Sequence, residues 1–192
     1  MLINELTGFL NISTCELLLE HFITDSIFDG SVLPLTSKKV SGNSHDLLSS
    51  VKGKISSLIK VPLENFEDLC VARHCAGQKF KPHLDCFYIQ PNSIFTKELF
   101  DKEMNEGGQR AFTCIIFLND NYIGGEIFFD RVYTTITPAA GKLIYWKNTS
   151  DSGDVNIATE HGDMPILSGS KWTLSCYIRE KKYTGDNKSG IL

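Results

Sequence analysis

The stretch KFKPHLDCFY, residues 79–88, reads as a β-strand with a histidine and an aspartate two positions apart. Successive strand side chains point to opposite faces, so His83 and Asp85 are expected to leave the same face. On that reading Phe80, Pro82, Leu84 and Cys86 form an apolar face, and Lys81, His83 and Asp85 form a polar one. A polar face on a strand bracketed by aromatic residues needs either solvent or a metal. Non-haem iron takes two imidazoles and one carboxylate on one side of an octahedron and leaves the other positions open. An H-x-D strand supplies two of those ligands, and a distant histidine must supply the third. The H-x-D pattern occurs twice in the chain, at His83/Asp85 and at His161/Asp163. A histidine follows the first pair, at 161, and none follows the second. The ordered trio is therefore His83, Asp85 and His161, with Asp163 read as a turn residue in EHGDMP. Taken alone, a core histidine and a strand-capping aspartate explain the first pair equally well.

Outward from this stretch, the chain divides by pattern. The segment NISTCELLLEHF predicts a helix capped by Ser13 or Thr14, with Leu17, Leu18, Leu19 and Phe22 on its apolar face. Leu47, Leu48, Val51, Ile55, Leu58 and Ile59 recur at helical spacing and predict a second helix. His21 and His45 fall on these helices and read as surface residues. From residue 67 onward short β-rich runs alternate with turn residues such as Gly77, Gly124-Gly125, Gly141 and Gly169. Many short strands with regular punctuation predict a sandwich or barrel, here a double-sheet jelly roll with helices packed on one sheet. The polar segment 90–108 is expected to be a loop or short helix, placed like a lid.

Bulk properties narrow the function. A chain of 192 residues suits one domain, divided here into a helical support region (1–66), a catalytic core (67–180) and a tail (181–192). A net charge of −4 gives no electrostatic footprint for nucleic acid. No apolar run approaches the length of a membrane span. The start MLINELTGFLNIS carries Glu5 and no basic residue, unlike a secretion signal, so a cytoplasmic protein is expected. The six cysteines form no CxxC pair and read as buried free thiols. The residues do not fix the oligomeric state.

Six collinear segments carry a resemblance: VARHCAGQKFKPHLDCF, GGQRAFTCIIFLND, GGEIFF, ITPAAGKLIYW, HGDMPILSGSKW and YIRE. Together they resemble the catalytic core of prolyl 4-hydroxylase-like 2-oxoglutarate- and Fe(II)-dependent dioxygenases over about residues 67 to 180. LTGFLNISTCELLLEHF is similar to that family's opening strand and helix. The resemblance implies a double-stranded β-helix with a mostly-β, α+β make-up. It also implies Fe(II) held by His83, Asp85 and His161, with 2-oxoglutarate and O2 as cosubstrates and ascorbate as a candidate additional cofactor. A lysine ten positions after the distal histidine, here Lys171, would bind the far carboxylate of 2-oxoglutarate, and Thr113 would hydrogen-bond the same carboxylate. Strand parity agrees: Lys171, Thr173, Ser175 and Tyr177 share one face, while Trp172, Leu174, Cys176 and Ile178 share the core face. A buried ammonium needs an anion or loses its charge.

Two departures stand out. His74 occupies the position of a family tyrosine that also reaches the cosubstrate, and Tyr177 stands where the family often has tryptophan. Tyr177, Arg179 and Tyr88 are candidate substrate contacts. The expected reaction is hydroxylation of proline in a peptide or protein, with release of succinate and CO2. A free amino acid or other small metabolite is the rival substrate, favoured by the short chain and the changes at 74 and 177. A non-catalytic jelly-roll binding module is the rival from another class.

Overall fold

The computed structural model describes residues 2–24, 36–40, 46–89 and 95–185. In chain order the elements are β1 (Ile3–Leu6), α1 (Ile12–Thr24), β2 (Thr36–Val40), α2 (Asp46–Ile59), β3 (Leu69–Cys75), β4 (Phe80–His83) and α3 (Lys97–Gly107). They continue with β5 (Arg110–Phe117), β6 (Ile123–Gly124), β7 (Ile127–Phe129), β8 (Thr134–Ile136), β9 (Leu143–Lys147), β10 (His161–Asp163), β11 (Ile166–Ser168) and β12 (Ser170–Arg179). Six strands form one sheet in the order β1-β9-β5-β12-β3-β2. Four form a second, β4-β10-β7-β8, and β11 pairs with β6. The two main sheets make the jelly roll expected from the turn-punctuated second half of the chain.

Alternation along the central strands divides the large sheet into an outer and an inner face. Cys114 and Ile116 of β5, Leu143 of β9, and Trp172, Leu174, Cys176 and Ile178 of β12 pack outward against Leu18 and Phe22 of α1 and Leu48, Val51 and Ile55 of α2. The intervening residues face inward. Phe117, Ile144 and Trp146 meet Ile127 and Phe129 of β7 and Ile136 of β8, closing one part of the space between the sheets. The rest of that space is a cavity, described below. Fully burying one such aliphatic or aromatic side chain is worth roughly 1.5–3 kcal/mol, so these two layers supply the main cohesion.

Several details differ from the expectation. Asn11, not Ser13 or Thr14, caps α1: its Oδ1 accepts from the Thr14 backbone N–H at 2.8 Å. The buried stripe of α1 is Cys15, Leu18 and Phe22, while Leu17 is exposed. Residues 1–66 are not simply a helical support, because β1 and β2 both join the large sheet. His21 is half-buried, and His45 lies outside the described residues.

The strand over 79–88 is shorter than expected. β4 stops at His83, on the edge of its sheet, and Pro82 within it is exposed, as suits a residue with no ladder donor. The chain then bends at Asp85 and Cys86. Side chains take over the role of a strand partner. Gln109 accepts from the Phe87 N–H at 2.6 Å and donates to the Phe87 carbonyl at 2.8 Å. The Cys86 thiol donates to the Asn148 carbonyl at 3.1 Å. Asp85 and Cys86 are thus both buried, and the apolar/polar division by parity fails beyond His83.

The segment 90–108 contains α3, capped by Thr96 Oγ1. It is tied to the core, since Glu103 is buried and accepts from Arg179 Nη2 at 2.7 Å. Residues 90–94 lie outside the described residues, so the lid expectation is left to α3, whose inner face is fastened.

Candidate active site

The two histidines meet by register. β10 pairs antiparallel with β4, and His161 lies directly opposite His83. Side chains across such a pair are near neighbours, and the imidazole centroids are 4.4 Å apart. Gly162 is required between His161 and Asp163: a Cβ there would stand 2.9 Å from the Phe80 carbonyl oxygen and 2.8 Å from the Phe128 ring.

Each imidazole is oriented in the same manner. His83 Nδ1 lies 3.0 Å from the Lys81 carbonyl, and His161 Nδ1 lies 3.0 Å from the Thr159 carbonyl. A carbonyl can only accept, so both rings place their proton on Nδ1 and leave Nε2 as a lone pair. Both Nε2 atoms turn to Asp85, at 3.4 Å from Oδ1 for His83 and 3.8 Å from Oδ2 for His161. Asp85 Oδ2 accepts from Thr113 Oγ1 at 2.6 Å, and Thr113 in turn accepts from Asn148 Nδ2 at 2.8 Å. Asp85 Oδ1 is buried and has no hydrogen-bond partner.

The electrostatics follow. Burial alone would raise the pKa of Asp85, but the His161 and His83 imidazoles and the Thr113 hydroxyl outweigh it and hold that pKa far below the usual carboxylate range. Burial also opposes protonation of His83, yet its contact with Asp85 raises its pKa above the ordinary imidazole value. For His161 burial wins, and the ring is held neutral more strongly than in water.

One ligand atom from each of His83, Asp85 and His161 lies within 4.8 Å of the others, the one such group of histidine, cysteine, aspartate or glutamate among the described residues. Two imidazole Nε2 atoms aimed at one carboxylate, its unpaired Oδ1 and the backbone carbonyls that orient both rings fit a ferrous ion. The trio opens on a cavity of about 260 Å³ lined by Phe80, Ile127, His74, Asp163, Lys171 and Tyr177 among others.

Lys171 points inward, as its parity required, and is almost fully buried. Its Nζ donates to Asp163 Oδ2 at 2.8 Å and to the Gly125 carbonyl at 2.9 Å. Burial pulls the Lys171 pKa down, while Asp163 opposes that shift. Asp163 is therefore no turn residue. It ends β10, faces the same cavity as His161, and also lies 3.4 Å from His74 Nδ1. The signal for this was present in the sequence, because H-x-D parity applies in full to His161 and Asp163.

Thr113, expected beside the cosubstrate carboxylate, donates its hydroxyl to Asp85 and accepts from Asn148. Arg179 is removed from the substrate contacts. It is fully buried, bonded to Glu103 and 3.6 Å from Glu67, behind the cavity wall. The bulge opposite Ile178 and Arg179 adds a residue, Ala111, to β5, so β12 keeps its alternation through Arg179, and pairing with Glu103 and Glu67 is what withholds the guanidinium from the cavity. Tyr88 is half-buried and does not line the cavity, whereas Tyr177 does. Beneath Tyr177 lies a group that sequence reasoning missed. Arg110 forms a two-pronged ion pair with Glu67, at 2.8 and 2.9 Å, and stacks 3.9 Å from the Tyr177 ring.

A jelly roll with two histidines and a carboxylate facing one cavity defines a mononuclear non-haem iron site. Residues 69–179 match the 2OG-Fe(II) oxygenase superfamily, and the chain belongs to that family. It uses Fe(II), 2-oxoglutarate and O2. Among solved structures the chain is similar to the viral collagen prolyl hydroxylase of Paramecium Bursaria Chlorella virus-1, with a TM-score of 0.75 and 21% identity over 93% of this chain and 96% of that one. It is 27% identical to the human prolyl 4-hydroxylase subunit alpha-1 over 74% of this chain and 25% of that subunit. It is 26% identical to prolyl 4-hydroxylase 13 of Arabidopsis thaliana over 71% of this chain and 52% of that protein. The chain thus spans about a quarter of the human subunit and about half of the plant enzyme. No described helix is long and apolar enough to cross a membrane.

Proposed function

We propose that this chain is a hydroxylase of proline residues in a peptide or protein, with His83, Asp85 and His161 as its iron ligands. The observation that carries the reading is the meeting of those three side chains around a carboxylate that keeps one oxygen unpaired. Iron bound there supplies the O2 activation that couples decarboxylation of 2-oxoglutarate, to succinate and CO2, to insertion of one oxygen atom into a C–H bond. The chain's own residues do the positioning. Carbonyls of Lys81 and Thr159 keep both Nε2 lone pairs on the metal side. Thr113 fixes the Asp85 carboxylate, so that its other oxygen is the donor. Lys171 supplies the cation for the distal carboxylate of 2-oxoglutarate. Phe80 and Ile127 line the same space and limit water. Tyr177 supplies an aromatic wall to the same cavity.

Proline is favoured by the relatives, which are named prolyl 4-hydroxylases, and aromatic walls suit proline-containing chains. Cytoplasmic action is supported by six free thiols, which persist in reducing compartments. The test is incubation with Fe(II), 2-oxoglutarate and either proline-rich peptides or free proline, followed by succinate measurement and product mass. A gain of one oxygen on peptidyl proline is expected. Oxygen added only to free proline would transfer the reading to a small-molecule hydroxylase, and the absence of iron-dependent succinate would end it.

A further inference from the structure

The cation offered to 2-oxoglutarate is already engaged. Lys171 Nζ has three donors, and two are spent on Asp163 and the Gly125 carbonyl. His74 and Lys171 are directly opposed on β3 and β12, and Asp163 reaches them from β10 of the other sheet. The Asp163 carboxylate is therefore gripped between two basic groups, at 2.8 Å from Lys171 and 3.4 Å from His74. A neutral ion pair attracts an incoming anion less than a lone ammonium does, and two carboxylates on one ammonium repel each other. The pair also has a benefit. An unpaired ammonium this deeply buried would be costly, and Asp163 removes that cost in the free protein.

We propose that Asp163 is a positioning residue that sets cosubstrate selectivity. It holds Lys171 in place when the site is free and competes with the distal carboxylate of 2-oxoglutarate for that ammonium. This weakens the preference for a dicarboxylate over a 2-oxo acid with an uncharged tail. The inference rests on the reading of the site given above. It predicts an unusual pairing of effects: neutralising Asp163 lowers stability and raises 2-oxoglutarate affinity. A purely structural role would lose both or leave affinity unchanged.

The experiment loads wild type, Asp163→Asn and Asp163→Glu with Mn(II), which resists turnover, and titrates 2-oxoglutarate and 2-oxopentanoate by calorimetry, with urea midpoints measured alongside. Asp163→Asn is expected to bind 2-oxoglutarate about tenfold more tightly and 2-oxopentanoate within about twofold of wild type, because only the charged tail meets the changed charge. Asp163→Glu is expected to restore the wild-type ratio. Should Asp163→Asn fail to fold, Asp163→Ser makes the same comparison. Unchanged or weaker 2-oxoglutarate binding by the neutral variant, or equal shifts for both ligands, overturns the inference alone. Failure of the Mn(II)-loaded wild type to bind 2-oxoglutarate overturns the reading of the site beneath it.

Discussion

Two groups of buried charge lie close together in this sandwich, and they are built in opposite ways. Around Glu67 the carboxylate is closed: Arg110 grips it with two hydrogen bonds and Arg179 lies 3.6 Å away, bonded to Glu103 through Nη2 while its Nε and Nη1 have no hydrogen-bond partner. Both guanidinium groups lie over Phe87, and Arg110 also stacks on Tyr177. Around Asp85 valence is left open. Its Oδ1 has no hydrogen-bond partner, and the His83 and His161 Nε2 atoms face one carboxylate oxygen each while both Nδ1 atoms lie on backbone carbonyls. Charge that is buried and paired holds a wall in place. Charge that is buried with unused lone pairs marks a place for a ligand.

The contrast can be broken most severely at Asp85. Asp85→Ala is expected to reduce iron-dependent succinate release by at least about 100-fold and to abolish stoichiometric metal binding, since a ligand counts for more than its supporting hydrogen bonds. In the metal-free protein the same change is expected to cost about 1–2 kcal/mol, because the contacts that hold the Asp85 pKa low outweigh its desolvation and are lost with it. A large loss of metal-free stability in urea would put Asp85 with the closed group instead. Arg110→Ala tests the other side. It strands the buried Glu67 carboxylate and is expected to cost about 3–5 kcal/mol in urea unfolding. Turnover lost in Arg110→Ala without loss of stability would make Arg110 part of the site.

A finer cut is Thr113→Val. It removes the hydroxyl that fixes Asp85 and is expected to weaken metal affinity about tenfold, at the low end for groups that support a ligand. Affinity for 2-oxoglutarate at saturating metal should change little, because the Thr113 hydroxyl is hydrogen-bonded to Asp85 and Asn148. The smallest effect concerns pH. Burial pushes the Cys86 thiol up to about 12 and raises the pKa of Cys176 and Tyr177 well above their ordinary values. The unfolded chain releases these protons near its ordinary thiol and phenol pKa values, while the fold retains them. Stability from these groups is therefore full below pH ~8.5 and declines as pH rises beyond it. Urea midpoints measured from pH 8 to 10.5 should fall steadily, and a flat profile would show that the dry surroundings of these groups are open to water.

Parity in the sequence worked where the strand was long and its pairing regular. On β12 the inward set Lys171, Thr173, Ser175 and Tyr177 and the outward set Trp172, Leu174, Cys176 and Ile178 were both legible. It fell short at strand ends. Parity gave the face of Arg179 but not its closure by Glu103 and Glu67, and the end of β4 at His83 carried Asp85 inward by a bend rather than by alternation. His83 and Asp85 were paired for an incomplete reason. The same rule, withheld from His161 and Asp163, holds there.

From residue order alone come the jelly roll, the trio of His83, Asp85 and His161, and the inward Lys171. Those depend on hydrophobic period and on the chemistry of side-chain types, which are local properties of the chain. The tertiary structure alone decided that Thr113 serves Asp85, that Asp163 takes Lys171, and that Arg179 is shut away with Glu103. Those partnerships join strands of different sheets or residues far apart in the chain. They are set by register, bends and packing, which no single segment encodes.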